Sequence, residues 1–382
     1  MTALAGRFER AREVLASSGA DAVLLGLGAD LRYLTGYRAH ALERLTMLVL
    51  QAEGPAVLVA PRLEAMAAAQ SDAAVAGLVE IQAWDETEDP YALVASRLRA
   101  LGAEAAAGRV LVDSSLPARH LLALQRRLEG HAFGLATEVM RDLRMVKAAD
   151  EIALLRRAAH AADRVVARIA GGSLVGRTEA EVSAEVRDLL LAEGHDEATF
   201  AIVASGPNGA SPHHGAGERR LAAGDPVVLD IGGTIDGYGS DITRMLWIAG
   251  AEDGSAGIAP TSEFLDLFEL VRRAQESATA AVRPGARAGD LDEVARSVIR
   301  DGGYGDAFIH RLGHGIGLEG HEEPYLVAGS DEALAVGHAF SIEPGIYLAG
   351  RFGVRIEDIV VCGPDGPDVL NEAPRDLLVV RG

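Results

Sequence analysis

Hydrophobic positions repeat along the chain with two periods, which predict alternating helices and strands. Apolar residues recur every three to four positions, as on one face of an amphipathic helix, in 7–18, 151–170 and 263–282. Short and mostly apolar runs, typical of buried strands, occupy 22–25, 201–204, 227–231, 242–248 and 339–342. The pattern therefore predicts a mixed helix and strand protein, and 382 residues are enough for two domains with separate cores.

Residues 1–145 form the first predicted domain. Apolar runs at 46–50 and 56–60 flank Glu53, Gly54 and Pro55, a turn sequence that predicts a β-hairpin. This part has no dense set of catalytic residue types. We expect a compact α/β N-terminal domain without chemistry of its own.

Residues 146–382 form the second predicted domain, in which long helices alternate with strands joined mostly by hairpins. This order predicts an α+β domain built on one sheet. Thr178 with Glu181 three positions later is a capping box, which predicts the start of a helix. The run 354–361 predicts one continuous strand, whose alternation would place Arg355 and Glu357 on the same face.

Charge and cysteine content narrow the classes of partner and compartment. With 36 basic and 56 acidic residues the net charge is −20, which argues against nucleic acid or an anionic membrane as a partner. The single cysteine, Cys362, excludes an internal disulfide and is typical of a reducing compartment. The chain begins without an apolar signal segment and has no run long enough to span a membrane, so we expect a cytoplasmic protein.

Two aspartates occupy unusual places in this apolar pattern. Asp230 lies inside the run 227–231, and Asp241 stands at the start of the run 242–248. On consecutive strands the two carboxylates can face one another across a hairpin. A carboxylate in an apolar strand is costly unless it is paired or bound to a metal. Either residue alone is explained as well by a turn cap or a surface position.

Three further ligand-type residues lie in similar surroundings. His314 is flanked by glycines, which allow a close backbone approach, and Glu343 ends an apolar strand before a proline. Glu357 lies between two apolar runs, a position that favours a functional role, and a salt bridge with Arg355 is the less favoured alternative. The spacing of His310 and His314 also matches a helical zinc pair, but the glycines disfavour a helix.

Together the five residues are four carboxylates and one imidazole. Four negative charges brought together would raise each other's pKa values, and two divalent cations would balance them. Oxygen ligands favour manganese first, with cobalt, iron or zinc as alternatives. Two bridged metal ions are a hydrolytic device, because they lower the pKa of a shared water and polarise a carbonyl group.

The motifs around these residues resemble a known enzyme family. LDIGGTIDGYGSDITR, HRLGHGIGLEGHEEPY, SIEPGIY and GVRIED are similar to those of the Xaa-Pro aminopeptidases and prolidases of metallopeptidase family M24. The resemblance implies a pita-bread (creatinase/aminopeptidase-like) catalytic domain behind a smaller N-terminal domain. It also implies two divalent metal ions bridged by Asp241 and Glu357, with Asp230 on one ion and His314 and Glu343 on the other.

The same resemblance implies catalytic residues, a substrate and an assembly. His213, or the adjacent His214, and His321 would contact the substrate near the scissile bond, with Arg355 behind the bridging glutamate. The substrate would be a peptide or dipeptide with proline at its second position, and the enzyme would be a homodimer. Two other functions stay open: hydrolysis of a non-peptide C–N bond, as creatinase performs on this fold without metal, and non-catalytic binding.

Overall fold

The computed structural model describes residues 3–39, 42–100, 108–250 and 257–381. The chain divides into two compact units, Met1–Arg144 and Met145–Gly382. Among the described residues, no helix combines the length and the apolar character needed to cross a bilayer.

The first unit is built on a six-stranded mixed sheet, in the order β4-β3-β2-β1-β5-β6. Its strands are β1 Ala22–Leu25, β2 Met47–Leu50, β3 Ala56–Pro61, β4 Val79–Trp84, β5 Arg109–Val112 and β6 Ala132–Leu135. Its helices are α1 Ala3–Ser18, α2 Ala29–Thr35, α3 Ala65–Ala68, α4 Asp72–Val75, α5 Pro90–Ala100, α6 Ala118–Arg127 and α7 Thr137–Met145. The predicted hairpin is confirmed: β2 and β3 pair antiparallel, and Gly54 takes the positive φ that the turn requires.

The described residues of the second unit form four long helices and three sheets. The helices are α8 Ala149–Ala170, α9 Glu179–Ala192, α10 Ser262–Ala280 and α11 Ala288–Asp301. One sheet, in the order β18-β10-β8-β7 with β9 beside β8, comprises β7 Glu197–Ser205, β8 Pro226–Ile235, β9 Tyr238–Gly239, β10 Ile242–Ile248 and β18 Leu378–Val380. A second, in the order β12-β11-β13-β16-β17, comprises β11 Gly313–Gly315, β12 Glu322–Leu326, β13 Ala339–Ile342, β16 Asp358–Gly363 and β17 Gly366–Val369. A two-stranded ribbon is formed by β14 Gly345–Leu348 and β15 Phe352–Arg355.

Strand β10 is buried on both faces, which explains the apolar residues that fill its second half, 245–248. Met245 and Trp247 belong to the core formed with α10 and α11, whereas Leu246 and Ile248 belong to the core formed with α8 and α9. Burial of each such side chain stabilises the fold by about 1.5–3 kcal/mol. The strand that follows Asp241 is therefore held in place from both sides.

Two predictions about the second unit are wrong. It has two five-stranded sheets and a ribbon rather than one sheet, and 354–361 is two strands rather than one. Strand β15 pairs with β14 in the ribbon, whereas β16 pairs with β13. Between them the backbone N–H of Glu357 donates to Thr243 O of β10 at 3.2 Å. An apolar run does not reveal which neighbour each half pairs with, so the break is invisible in the sequence.

Candidate active site

Asp230 and Asp241 lie on neighbouring antiparallel strands, which confirms the predicted hairpin relation. Asp230 is in the middle of β8 and pairs in register with Thr243 of β10, and Asp241 directly precedes β10. Both aspartates are buried, at 7% and 5% exposure. The apolar residues around them hold the two strands between helices, and this holds the carboxylates in place.

His314 and Glu343 come from the second five-stranded sheet. His314 lies in β11, and Glu343 directly follows β13. The Nε2 atom of His314 is 3.2 Å from Glu343 Oε1 and 3.7 Å from Asp241 Oδ2. Glycine is needed beside His314, because a Cβ atom at Gly313 would collide with the carbonyl oxygen of Ser341. His314 is in a strand, so the helical zinc pair is excluded.

Glu357 lies where the chain leaves the ribbon for the second sheet. Its side chain is 1% exposed, and Thr243 Oγ1 donates a hydrogen bond to Oε2 at 2.7 Å. The predicted relation to Arg355 through one strand face is wrong, because the strand ends at Arg355. Instead the Arg355 guanidinium forms its ion pair with Asp230 Oδ2, at 2.5 Å.

These residues fit a site for divalent cations. Ligand atoms of Asp241, His314 and Glu357 lie within 4.8 Å of one another. Two buried oxygens, Asp230 Oδ1 and Glu357 Oε1, have no hydrogen-bond partner among the described residues. Buried oxygens normally have partners, so orphaned ones beside a histidine and further carboxylates indicate ligand positions for a cation.

The charges of the clustered side chains also indicate a site for a cation. Burial and the negative charge of Asp230 raise the pKa of Asp241 well above its usual value. Burial and the charge of Asp241 do the same for the pKa of Glu357. Burial also raises the pKa of Glu343, but contact with His314 outweighs it and lowers that pKa to about 2. A cation beside Asp241 and Glu357 would remove the repulsion that disfavours their ionised forms.

A polar network behind the cluster contains two residues that the sequence analysis missed. Arg355 donates to Tyr347 Oη at 2.7 Å and to Thr243 Oγ1 at 3.1 Å. The Nε2 atom of His310 is 2.9 Å from the same Tyr347 Oη. Burial raises the pKa of Tyr347 to about 12, so this phenol stays protonated. The HxxxH spacing was the available signal for His310, and it was discounted because it implied a helix.

His321 and His213 both line the same cavity as the five clustered residues. The His321 ring lies 3.7 Å from the His314 ring, between centroids. Burial and the nearby His314 lower the pKa of His321 to about 4. Arg311 Nη2 donates to its Nδ1 at 3.3 Å, so the proton of the neutral ring is on Nε2.

His214 has a different environment from His213. Its Nε2 atom is 2.8 Å from Oε2 of Glu179, a completely buried residue at the start of α9. Glu179 also accepts from the backbone N–H and hydroxyl of Ser205 and from Asn208 Nδ2. Burial raises the pKa of Glu179, but these hydrogen bonds outweigh it and leave the pKa below its usual value. Glu179 thus fixes both ends of the segment that carries His213.

The cavity itself has a volume of about 900 Å³, within the range of small-molecule sites. Apolar side chains of Phe200, Ile202 and Ile309 line it beside the carboxylates and histidines. A buried charged cluster in a mostly apolar cavity can bind a short, partly apolar substrate and act on its polar bond.

Family models match both units of the chain. Metallopeptidase family M24 matches residues 153–364, and the Creatinase/Prolidase N-terminal domain matches residues 7–146. The probable dipeptidase PepE of Mycobacterium tuberculosis is 48% identical over 378 residues, which cover 98% of this chain and 96% of that protein.

Solved structures of peptidases are also similar to this chain over nearly its whole length. Dipeptidase PepE from Mycobacterium ulcerans is 45% identical, with a TM-score of 0.91 and coverage of 99% of this chain and 98% of that one. A prolidase from Thermococcus sibiricus is 34% identical, with a TM-score of 0.90 and full coverage of both chains. A Xaa-Pro dipeptidase from Bacillus anthracis is 29% identical, with a TM-score of 0.87 and coverage of 99% and 100%.

Proposed function

The chain is a metallopeptidase of family M24 with a creatinase-type N-terminal domain, and we propose that it hydrolyses the bond between an N-terminal residue and a following proline. The observation that carries the proposal is the cluster of Asp241, His314 and Glu357 in the wall of a cavity that is large enough for a short peptide. Relatives named prolidase and Xaa-Pro dipeptidase support the choice of bond.

Five residues would hold two divalent ions: Asp230, Asp241, His314, Glu343 and Glu357. By family resemblance Asp241 and Glu357 would lie between the two ions. Burial and mutual repulsion raise the pKa values of both carboxyl groups, and positive charge beside them would relieve this repulsion. Manganese is the first choice, with cobalt, iron or zinc as alternatives. When bound, the ions would activate a shared water and polarise the scissile carbonyl group.

Arg355 and Tyr347 would orient this centre. The guanidinium holds Oδ2 of Asp230 at 2.5 Å and leaves Oδ1 free. The phenol and Thr243 hold the guanidinium in turn, at 2.7 and 3.1 Å. Such a chain fixes the direction in which the Asp230 carboxylate presents its free oxygen.

His321 and His213 would serve the substrate's reacting atoms. An X-Pro amide has no N–H, so the enzyme must act through the carbonyl group and must protonate the ring nitrogen as it leaves. His321, whose Nδ1 accepts from Arg311, keeps an N–H on Nε2 that can donate to the carbonyl oxygen. His213, on the segment fixed by Glu179, is then the residue proposed to deliver the proton to the proline nitrogen.

We also infer a homodimer, which the family resemblance supports. We infer a cytoplasmic location as well, which agrees with a single, buried cysteine.

The test compares Ala-Pro with Ala-Ala as substrates of the manganese-loaded enzyme. We expect rapid hydrolysis of Ala-Pro and much slower hydrolysis of Ala-Ala, because the cavity receives the proline ring. Equal rates on both dipeptides would contradict the proline preference, whereas the assignment as a peptidase would stand. Hydrolysis of neither, with metals bound, would favour a non-peptide substrate or a binding role.

A further inference from the structure

The chain uses lysine at a single position. Of its 36 basic side chains, 35 are arginines and one, Lys147, is a lysine. The two side chains differ in shape, because a guanidinium is a wide planar fork whereas an ammonium is a compact point charge. The place of the one lysine therefore calls for a compact cation.

Lys147 is buried and paired. Its Nζ donates to Oε1 of Glu322 at 2.5 Å, and the two side chains are 1% and 7% exposed. Both charges have been removed from water, and for such a pair the cost of desolvation offsets much of the mutual attraction. A gain in stability is therefore a weak explanation for this pair, and its surroundings indicate another role.

The pair lies behind the turn that joins β11 to β12. The backbone N–H of Lys147 donates to Gly337 O at 2.9 Å, which fixes the end of the pair that carries the ammonium. At the other end, Oε2 of Glu322 accepts from the backbone N–H of Glu319 at 3.4 Å, within the turn. The same carboxylate fills the space beside Gly317, where a Cβ atom would lie 2.5 Å from Oε1. The turn is therefore folded around the Glu322 carboxylate.

His321 is the last residue of this turn and directly precedes Glu322. Successive side chains of an extended chain leave it on opposite sides, and here Glu322 faces Lys147 whereas His321 faces the cavity. In the cavity the imidazole stacks on His314 at 3.7 Å and accepts from Arg311 at 3.3 Å. Neither contact fixes the backbone of the turn, so the place of the ring depends on what holds Glu322.

From this arrangement we propose that Lys147, through Glu322, positions His321 for the reaction. The proposal rests on the proposed X-Pro hydrolysis and on the part that His321 has in it. Lys147 acts through the backbone and contacts no reacting atom. Its ammonium keeps the Glu322 carboxylate in one place, and the adjacent imidazole with it.

The first experiment measures kcat and KM on Ala-Pro. Lys147→Met should lower kcat by about 10- to 100-fold with KM changed by less than about twofold, because a ring displaced by about 1 Å still leaves the binding contacts in place. Lys147→Met/Glu322→Gln removes both charges, so no unpaired charge stays buried and the protein should fold. It should show the same loss of kcat. Wild-type kcat in either folded variant overturns the proposal.

A double-mutant cycle separates positioning from a general effect on the fold. His321→Ala removes the residue on which Lys147 is proposed to act. In that background Lys147→Met should lower kcat by less than about twofold, because two changes that act through the same group are not additive. A full 10- to 100-fold loss in the His321→Ala background would show that Lys147 acts elsewhere, and it overturns the proposal.

The imidazole ¹⁵N NMR signals of zinc-loaded protein provide a readout that does not depend on turnover, since zinc has a filled d shell. The His321 signal, identified by its loss in His321→Ala, should shift in Lys147→Met. The His195 signal, identified by its loss in His195→Gln, should not. An unshifted His321 signal overturns the proposal, whereas a shifted signal in a protein that does not hydrolyse Ala-Pro overturns the proposed function and leaves the positioning of the ring standing.

Arg156→Met is the matched control. The Arg156 guanidinium in α8 also forms an ion pair with the second five-stranded sheet, 2.6 Å from Oδ2 of Asp368 in β17. This variant loses an ion pair to the same sheet, at a place away from the turn that carries His321. It should keep wild-type kcat and an unshifted His321 signal, and losses equal to those of Lys147→Met would overturn the proposal.

Discussion

Replacement of Glu179 by glutamine should loosen the segment that carries His213. The Glu179 carboxylate accepts from Ser205 N and Oγ at 2.8 and 2.6 Å, from Asn208 Nδ2 at 3.0 Å and from Gly217 N at 3.4 Å. His214 Nε2 is a further partner at 2.8 Å. Glutamine offers one acceptor oxygen in place of two, so one or two buried donors lose their acceptor.

The size of the effect follows from these contacts. A buried donor left unsatisfied costs about 1–3 kcal/mol, so Glu179→Gln should lower the free energy of unfolding by about 2–4 kcal/mol. A displacement of His213 by about 1 Å can lower the rate by about 10²-fold. We expect that loss in kcat on Ala-Pro, with metal content unchanged, because none of the five proposed ligands contacts Glu179.

Glu181→Gln is the matched control for this prediction. Glu181 is on the same helix, is exposed, and accepts from the backbone N–H of Thr178 in the capping box. Glutamine serves equally well in a capping box, so urea unfolding and kcat should both stay near wild type. Wild-type kcat in Glu179→Gln, despite a measured loss of stability, would refute the role of Glu179 in positioning His213.

Three further predictions follow from the site and its surroundings. His213→Ala and His321→Ala should each lower kcat on Ala-Pro by about 10²–10⁴-fold with metals still bound, and unaltered kcat in both would remove them from the mechanism. A chelator should abolish hydrolysis, and manganese or cobalt should restore it; full activity of protein proven metal-free would contradict this. Burial lowers the pKa of His195 in the folded protein. As the pH falls below about 6.5, the His195 imidazole is therefore protonated in the unfolded chain before it is protonated in the folded one, and the free energy of unfolding decreases. Urea unfolding at pH 7 and pH 5 should therefore show a smaller pH-dependent loss in His195→Gln than in the wild type, and equal losses would contradict the assignment.

The sequence alone drew attention to the clustered residues because each lies in an apolar strand, beside one or among glycines. Asp230 interrupts a buried strand and Glu343 ends one, and such interruptions are costly without a partner. Pattern does not specify which strands pair over long distances. For that reason the break at Glu357 was missed.

Long-range side-chain contacts were equally hidden. Glu179 is the first residue of a helix, where glutamates are common. The neighbouring sequence gives no sign that its carboxylate contacts His214, thirty-five positions later. Arg311 lies in a recognised motif, yet only the fold reveals its position over Tyr325 inside the cavity.

The central claim is that the buried cluster binds two divalent ions, and metal stoichiometry tests it most directly. Manganese titrated calorimetrically into chelator-treated protein, with elemental analysis of the product, should give about two equivalents per chain in the wild type. Glu357→Gln removes the charge of a proposed bridging ligand at nearly constant size, and its metal occupancy should collapse. Glu263→Gln, an exposed change outside the cavity, should still bind two. Two equivalents in Glu357→Gln, or none in the wild type, would contradict the account.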